Sequence, residues 1–309
     1  NWDVRYKSVE SGWSPYSNRT SFSAIEPVFL FSASDDGTVR KIDASNMTEV
    51  GIFNGSDDFR SVTYGPNGFI YAGLGSDVRK INPSTMTQVN SFGGHTGTVR
   101  KFIFGSNGFL YSASQDDTVR KIDPSDMTQA NSFTGSTTLD ALAFDDINGF
   151  LYAGDRLNIV RKIDPSNMTQ VDSFTGHTGS VRGLIFDSNG FLYSASDDST
   201  IRKIDPSDMT QVDSFTGHTS GAFSLAIDAG GFLYSASLDN SVRKIDLSTM
   251  TQVGIFSGHT NNVVGIAEKN GFVYTSSDDT TVRKIDPSDM TQVGIFSGHT
   301  NRIVGLTSN

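Results

Sequence analysis

The chain has five histidines, His95, His177, His218, His259 and His299, and no cysteine. An imidazole can ligate a metal, relay a proton or act as a buried hydrogen-bond partner. Disulfides, thiolate metal sites and a cysteine nucleophile are impossible. Every histidine follows a glycine, and neighbours in sequence stand about forty residues apart or twice that, one to a repeated unit. Imidazoles spread in this way cannot converge on one metal ion. No metal site and no cofactor is expected.

A hydroxyl and a carboxylate recur with the imidazole. The hydroxyls are Ser32, Ser112, Ser194, Ser235 and Thr275, and the acids are Asp36, Asp116, Asp198, Asp239 and Asp279. The second and fourth units depart together. Ser56 and Ser136 stand in place of the histidine, and Ala72 and Ala153 in place of the hydroxyl. Leu157 replaces the acid of the fourth unit, and the second has a shortened turn, Leu74-Gly75-Ser76. An orphaned buried polar group costs on the order of 1–3 kcal/mol, whereas removing all its partners together is nearly neutral. Joint presence and joint loss are what direct contact demands. The pattern predicts a His–Ser/Thr–Asp network in five units and none in the other two, with each histidine structural.

No catalytic constellation appears. His-Glu-x-x-His, Gly-x-Ser-x-Gly and a phosphate loop are all missing. Gly73-Leu74-Gly75 has neither a third glycine nor a following helix pattern. Carboxylate pairs such as Asp197-Asp198 recur in several turns, whereas an enzyme marks one special site. The reading is of a protein that is not an enzyme.

The elements that position these groups follow from the repeat. Arg-Lys-Ile begins at Arg40, Arg79, Arg120, Arg161, Arg202, Arg243 and Arg283. All the methionines follow at fixed distance: Met47, Met86, Met127, Met168, Met209, Met250 and Met290. In the unit His177–Gly217, Val181–Phe186, Phe191–Ser196, Thr200–Ile204 and Met209–Phe215 read as strands. They are separated by Asp187-Ser-Asn-Gly, an Asp197-Asp198-Ser199 turn and a Pro-initiated turn at Asp205–Asp208. Strands this short are not stable alone and must pack against neighbouring units. The methionines are expected to start the outer strand and fill gaps between units. Period-two alternation sends Arg and Lys of each pair to opposite faces, and the Asp turns are the expected partners of whichever charge is buried.

The frame Gly-His, apolar strand, Asn-Gly, Tyr-Ser-Ala-Ser, Asp, Thr-Ile-Arg, Asp resembles the WD-repeat family over roughly residues 28–309. The Trp-Asp pair of that family reads Ile-Asp here, as at Ile204-Asp205, and the short Ile-Asp strand is also similar to YVTN-type propellers. The resemblance implies an all-β, seven-bladed β-propeller with four-stranded antiparallel blades. Asp36 and Ser32 need a histidine, and His299 is the unassigned one. The C-terminal strand around Ile303–Thr307 should therefore complete the first blade, whose other strands come from residues 28–53. Thr20–Ile25 is the alternative inner strand.

A chain with 36% hydrophobic and 11% aromatic residues can build a core, and no apolar run is long enough to cross a bilayer. The net charge is −10, and glutamate is confined to positions 10, 26, 49 and 268, so nearly all the acid is turn-favouring aspartate. Such a balance argues against phosphate-driven nucleic-acid binding, and membrane insertion is not expected. Residues 1–27 fall outside the repeat and carry Trp2, Tyr6, Trp13 and Tyr16, which could anchor the segment on the propeller or drive self-assembly. The opening Asn1 suggests a processed chain or a fragment. Asn18, Asn46, Asn54 and Asn167 begin glycosylation-type triplets, though Asn46 and Asn167 stand where sister units carry a turn Asp.

Repeated propellers present loops on two flat faces that bind macromolecules, so the expected role is a scaffold for a protein partner. A surface or virion adhesin binding glycan at several similar sites is the alternative. An extracellular, cell-surface or virion location fits this composition better than the cytoplasm. Recognition should lie where the copies diverge most, in blades two to four. Asp58, Phe59, Arg60, Arg100, Lys101, Asp155, Arg156 and Asn158 are the candidate binding residues.

Overall fold

The computed structural model describes residues 27–309, so the aromatic N-terminal segment, Thr20–Ile25 and the Asn18 triplet lie outside the described residues. Seven four-stranded antiparallel sheets follow one another round a ring. Each innermost strand touches the next until the circle closes. In the fifth blade the strands are Val181–Phe186, Leu192–Ser196, Ile201–Asp205 and Thr210–Phe215, from the axis outward.

Burial follows the radius. Second strands are buried at every position, as in Leu192–Ser196, or at every position but a half-buried first phenylalanine, as in Phe232–Ser237, because both faces of a blade press on neighbours. A sheet covered on both faces reads as a continuous apolar run. The core is therefore divided into clusters lying between blades. One joins Tyr111, Val119 and Phe133 of blade three to Leu139, Leu142 and Ile163 of blade four. Each fully buried side chain of this size contributes roughly 1.5–3 kcal/mol. The outermost strands begin exposed and become buried only towards the repeated phenylalanine at their end, as in Thr169–Phe174 and Thr210–Phe215.

The methionines differ from expectation in one respect. They precede the outer strand, closing an Asp-x-x-x-Met turn with positive φ, as at Met47 (58°) and Met127 (64°). The Met47 amide donates to the Asp43 carbonyl at 2.8 Å. This left-handed backbone costs on the order of 1 kcal/mol for a residue with a Cβ. Packing holds it there: Met86 lies so close to Gly51 of the preceding blade that a Cβ on that glycine would meet its Cγ at 2.8 Å. Asn46 and Asn167 accept hydrogen bonds from Thr48 and Thr169 in these turns, the work done by aspartate in sister blades.

Of each Arg-Lys pair, only the arginine finds the expected carboxylate. Every lysine instead crosses to the next blade and donates to a backbone carbonyl, as Lys162 does to Pro206 at 2.7 Å and Lys244 to Pro287 at 2.9 Å. Its ammonium lies over a phenylalanine of its own blade, with Lys162 4.5 Å from the Phe150 ring centroid and Lys41 3.9 Å from that of Phe29. A carbonyl oxygen and an aromatic face solvate the cation without a buried counter-charge. Lys284 closes this circuit by reaching Ala44 of blade one at 2.9 Å.

The ends of the chain close the ring. Ile303–Ser308 pairs antiparallel with Phe29–Ser34 as the innermost strand of the first blade. Asn309 then accepts from the Phe29 amide and donates to the Pro27 carbonyl. Deleting residues 303–309 exposes the edge of Phe29–Ser34 and the Leu30–Tyr274–Phe296 cluster. The truncated chain is expected to lose its cooperative thermal transition and to aggregate. Circular dichroism melting with size-exclusion chromatography checks this, and an unchanged midpoint would contradict the closure argument.

Candidate functional site

Each histidine-bearing blade contains a buried clasp. The imidazole Nε2 lies 2.7 Å from the hydroxyl of Ser112, Ser194 or Ser235 and 2.8 Å from that of Ser32 or Thr275. Nδ1 lies 2.9 Å from Asp116 and Asp239, 2.8 Å from Asp198 and Asp36, and 2.7 Å from Asp279. A neutral imidazole satisfies both contacts, Nδ1–H donating to the carboxylate and Nε2 accepting from the hydroxyl. The carboxylate also receives the amide of the residue after the histidine and a third-strand hydroxyl, Thr96 and Thr118 around Asp116. His299 belongs to the last stretch of chain, whereas Ser32 and Asp36 belong to the first, so this clasp spans the closure.

These surroundings move the titrations apart. Burial pushes the imidazoles of His95, His177 and His299 below the ordinary 6.5, only partly countered by the facing aspartate. Burial pushes the Asp116 and Asp198 carboxyls up, but hydrogen bonds from the third-strand threonine, the Thr96 or Thr178 amide and the histidine outweigh it and hold both at about 2.

Blade four corrects one expectation. Its acid is relocated two residues earlier, to Asp155, which is fully buried. Asp155 accepts from the Leu157 and Ile159 amides and from Arg161, which bridges to Ser136 at 3.0 Å. A guanidinium thus spans the gap that an imidazole fills elsewhere. Asp155 is accordingly not a surface binding residue. Phe59 is also fully buried, packing edge-on against Phe53, because it opens the innermost strand of blade two. Asn158 occupies a left-handed turn position, φ 70°.

The remaining candidates meet at one mouth of the ring. Innermost strands start, and second strands end, at the same rim, since the two are antiparallel. Asp58, Arg60, Arg100, Lys101 and Arg156 stand there, joined by residues that the divergence argument did not pick: Asp35, Asp140, Arg182, Asp197 and Arg302. Asp140 receives Arg156 at 2.7 Å and Arg182 at 2.8 Å, with Arg100 at 3.8 Å. Arg60 spans from Asp58 to Asp35 of blade one, 2.9 Å to each. One column of the repeat, the second residue of the innermost strand, reads Arg60, Arg100, Asp140, Arg182, Phe223, Val264 and Val304. That column was the available signal for Asp140 and Arg182. Each of these strands has a register irregularity beside this residue, as between Val99 and Lys101. A bulge aims its side chain away from the regular pleat.

Seven two-sided blades on a closed ring, clasped by buried histidines, define a seven-bladed β-propeller. Four units, residues 86–123, 168–205, 209–246 and 250–286, match the family model described as WD domain, G-beta repeat. The chain is a WD-repeat propeller. Each matched unit begins at the outer strand of one blade and ends in the third strand of the next, which is why the last strand of the chain must return to the first blade. No curated protein matches the chain. Propellers of this family are typically non-enzymatic scaffolds for protein interaction. Among the described residues no helix is long and apolar enough to cross a membrane.

His177→Ala leaves Ser194 and Asp198 without their shared partner and is expected to cost about 1–3 kcal/mol in denaturant unfolding. Asp155→Ala should cost at least as much although its blade has no histidine, because it strands Arg161. A cost near zero for Asp155→Ala would mean that the relocated acid fastens nothing. Acidification should destabilise in two stages. Below the ordinary histidine value of 6.5 the unfolded chain takes up protons that the buried imidazoles refuse. Below the ordinary aspartate value of 3.8 the unfolded carboxyls protonate before Asp116 and Asp198 do. The thermal midpoint is therefore expected to be level above about pH 7 and to fall below it, which a pH series of melting curves checks.

Proposed function

We propose that this propeller is a non-enzymatic scaffold that binds a protein partner at the charged mouth described above. The observation that carries the reading is where the seven copies stop agreeing. Clasps, lysine crossings and methionine turns recur round the ring and account for its assembly. The rim column instead changes from charged residues in blades two to five to Phe223, Val264 and Val304 in the others. A pattern that varies from blade to blade is of no use to a repeating fold and suits an asymmetric partner. Arginine and aromatic side chains together at the centre of a flat face are typical of interface anchors.

The test uses affinity capture from the native source, comparing the wild-type chain with an Arg60→Ala/Arg156→Ala variant. A partner retained by the wild type and lost from the folded variant is the expected outcome. Identical captured sets would remove the rim from the binding surface.

A glycan-binding reading is favoured by a different feature. Two grooves of about 340 Å³ open between blades at sister positions. One holds Phe150, Lys162 and Pro206-Ser207, the other Phe232, Lys244 and Pro287-Ser288. An aromatic face beside polar groups, repeated between blades, would suit a multivalent sugar. A glycan array separates the two: binding that survives the rim variant supports the sugar reading, and an empty array leaves the protein scaffold.

A further inference from the structure

The outer strands are not alike round the ring. In blades two to five their middle reads polar, Asn90-Ser91, Asn131-Ser132, Asp172-Ser173 and Asp213-Ser214. In blades six, seven and one, three neighbours on the closed ring, it reads Gly254-Ile255, Gly294-Ile295 and Gly51-Ile52. Ile255 and Ile295 are each 43% exposed, and Val253 and Val293 beside them are 53% and 52% exposed. The fold does not require isoleucine there, since serine serves the same position in four other blades. Paired on adjacent blades, such residues mark a surface built to be covered. The groove of about 340 Å³ at the seam of blades six and seven opens onto this wall, with Val253, Gly254 and Ile255 among its lining.

The chain enters the ring beside the same wall. The Val28 carbonyl accepts from the Ala44 amide at 3.1 Å, and Val28 packs on the cluster between blades seven and one. The Ala44 carbonyl in turn receives Lys284 of blade seven at 2.9 Å. Met47, three residues on, presses against Gly294, where a Cβ would meet its Cγ at 2.8 Å. Gly294 stands between Val293 and Ile295. The 26 residues before Pro27 reach up to about 85 Å when extended, roughly four strand lengths. They include Trp2, Val4, Tyr6, Trp13 and Tyr16, and the first three alternate with Asp3, Arg5 and Lys7. Alternation of this kind gives an extended segment one apolar face.

We propose that residues 2–16 of this chain are the cover. The Trp2, Val4 and Tyr6 face, with Trp13 and Tyr16, lies on the wall formed by Val293 and Ile295 of blade seven and Val253 and Ile255 of blade six. Aromatic rings laid on aliphatic side chains take both out of water. Ladder pairing skips Val253 and Val293, so each of these edges is interrupted by a bulge. The cover is therefore held by side chains and not as an added strand. It lies on the outermost strands, apart from the charged mouth at the innermost ones, and does not depend on what binds there. Once seated, it hides the apolar edges from a second copy of the chain. It also fills the groove at blades six and seven, while the sister groove at blades four and five stays open.

The two tryptophans of the chain, Trp2 and Trp13, both lie in this segment, so indole fluorescence reports on it alone. Emission and acrylamide quenching are measured on the whole chain, native and in denaturant. The native wild type should emit to the blue of the denatured chain and be quenched less. Ile255→Ser and Ile295→Ser install the residue of blades two to five, and each should weaken seating about tenfold. The double variant should shift emission and quenching towards the denatured values. Val171→Ser on blade four removes an equally exposed valine and should change neither. Circular dichroism melting checks that each ring is folded. Native wild-type quenching equal to that of the denatured chain overturns the proposal, as does shielding left unchanged in the folded double variant. Shielding lost on dilution, with a dimer in sedimentation, overturns seating within one chain and assigns the segment to the wall of a second copy.

Discussion

A blade of this chain is apolar on both faces, and that single fact governs the rest. Four short strands with Tyr, Val and Ile projecting on either side cannot fold in water alone; each blade needs two neighbours. An open row would leave two blades with one bare face each, and a row of seven closes only if the last strand of the chain returns to the first. Ile303–Ser308 makes that return, and the Leu30–Tyr274–Phe296 cluster across the seam is built like those between other blades. The core is accordingly divided into seven clusters, one at each seam between blades, and the ring closes only when all seven are made.

Polar groups then fix how the blades sit. The clasps act within a blade, tying the loop that enters its innermost strand to the turn between its second and third strands. The lysines act between blades, each reaching a carbonyl of the next. The two members of each Arg-Lys pair divide this labour. The arginine stays near the turn carboxylate, 3.5 Å in the case of Arg243 and Asp239, and near a glutamine or glutamate of the outer strand. The lysine reaches a backbone carbonyl of the next blade and an aromatic face of its own, and needs no contacting carboxylate there. Blade four shows that the clasp is one solution among several: Ser136, Arg161 and Asp155 connect the same loop and turn with a guanidinium.

Since fastening is repeated, difference becomes informative. The innermost strands use small residues at their third position to approach one another and are free to vary at the bulged second position, which faces the mouth. Charge appears in that free column on one arc of the ring only, and in blade three it spreads into the constrained column as Lys101. The ring thereby carries one charged arc at its mouth, with Arg60, Arg100, Arg156 and Arg182 set among Asp58, Asp140 and Asp197.

Much of this was legible in the residues. Period and strand length determined the number of blades. The joint occurrence of His, Ser or Thr and Asp gave the clasp membership, and the unassigned His299 pointed to the closing strand, because groups that must share a buried hydrogen bond are lost or kept together. Other features were decided only by the tertiary structure. Asp155 read as a divergent surface acid, yet a two-residue shift in a turn buries it under Arg161. Phe59 read as part of a patch but opens a core strand. The lysine crossings could not be read at all, since their acceptors are backbone carbonyls, which every residue has. Sequence spacing specifies which side chains recur; only the packed ring decides which recurring side chain faces a neighbour, the axis or water.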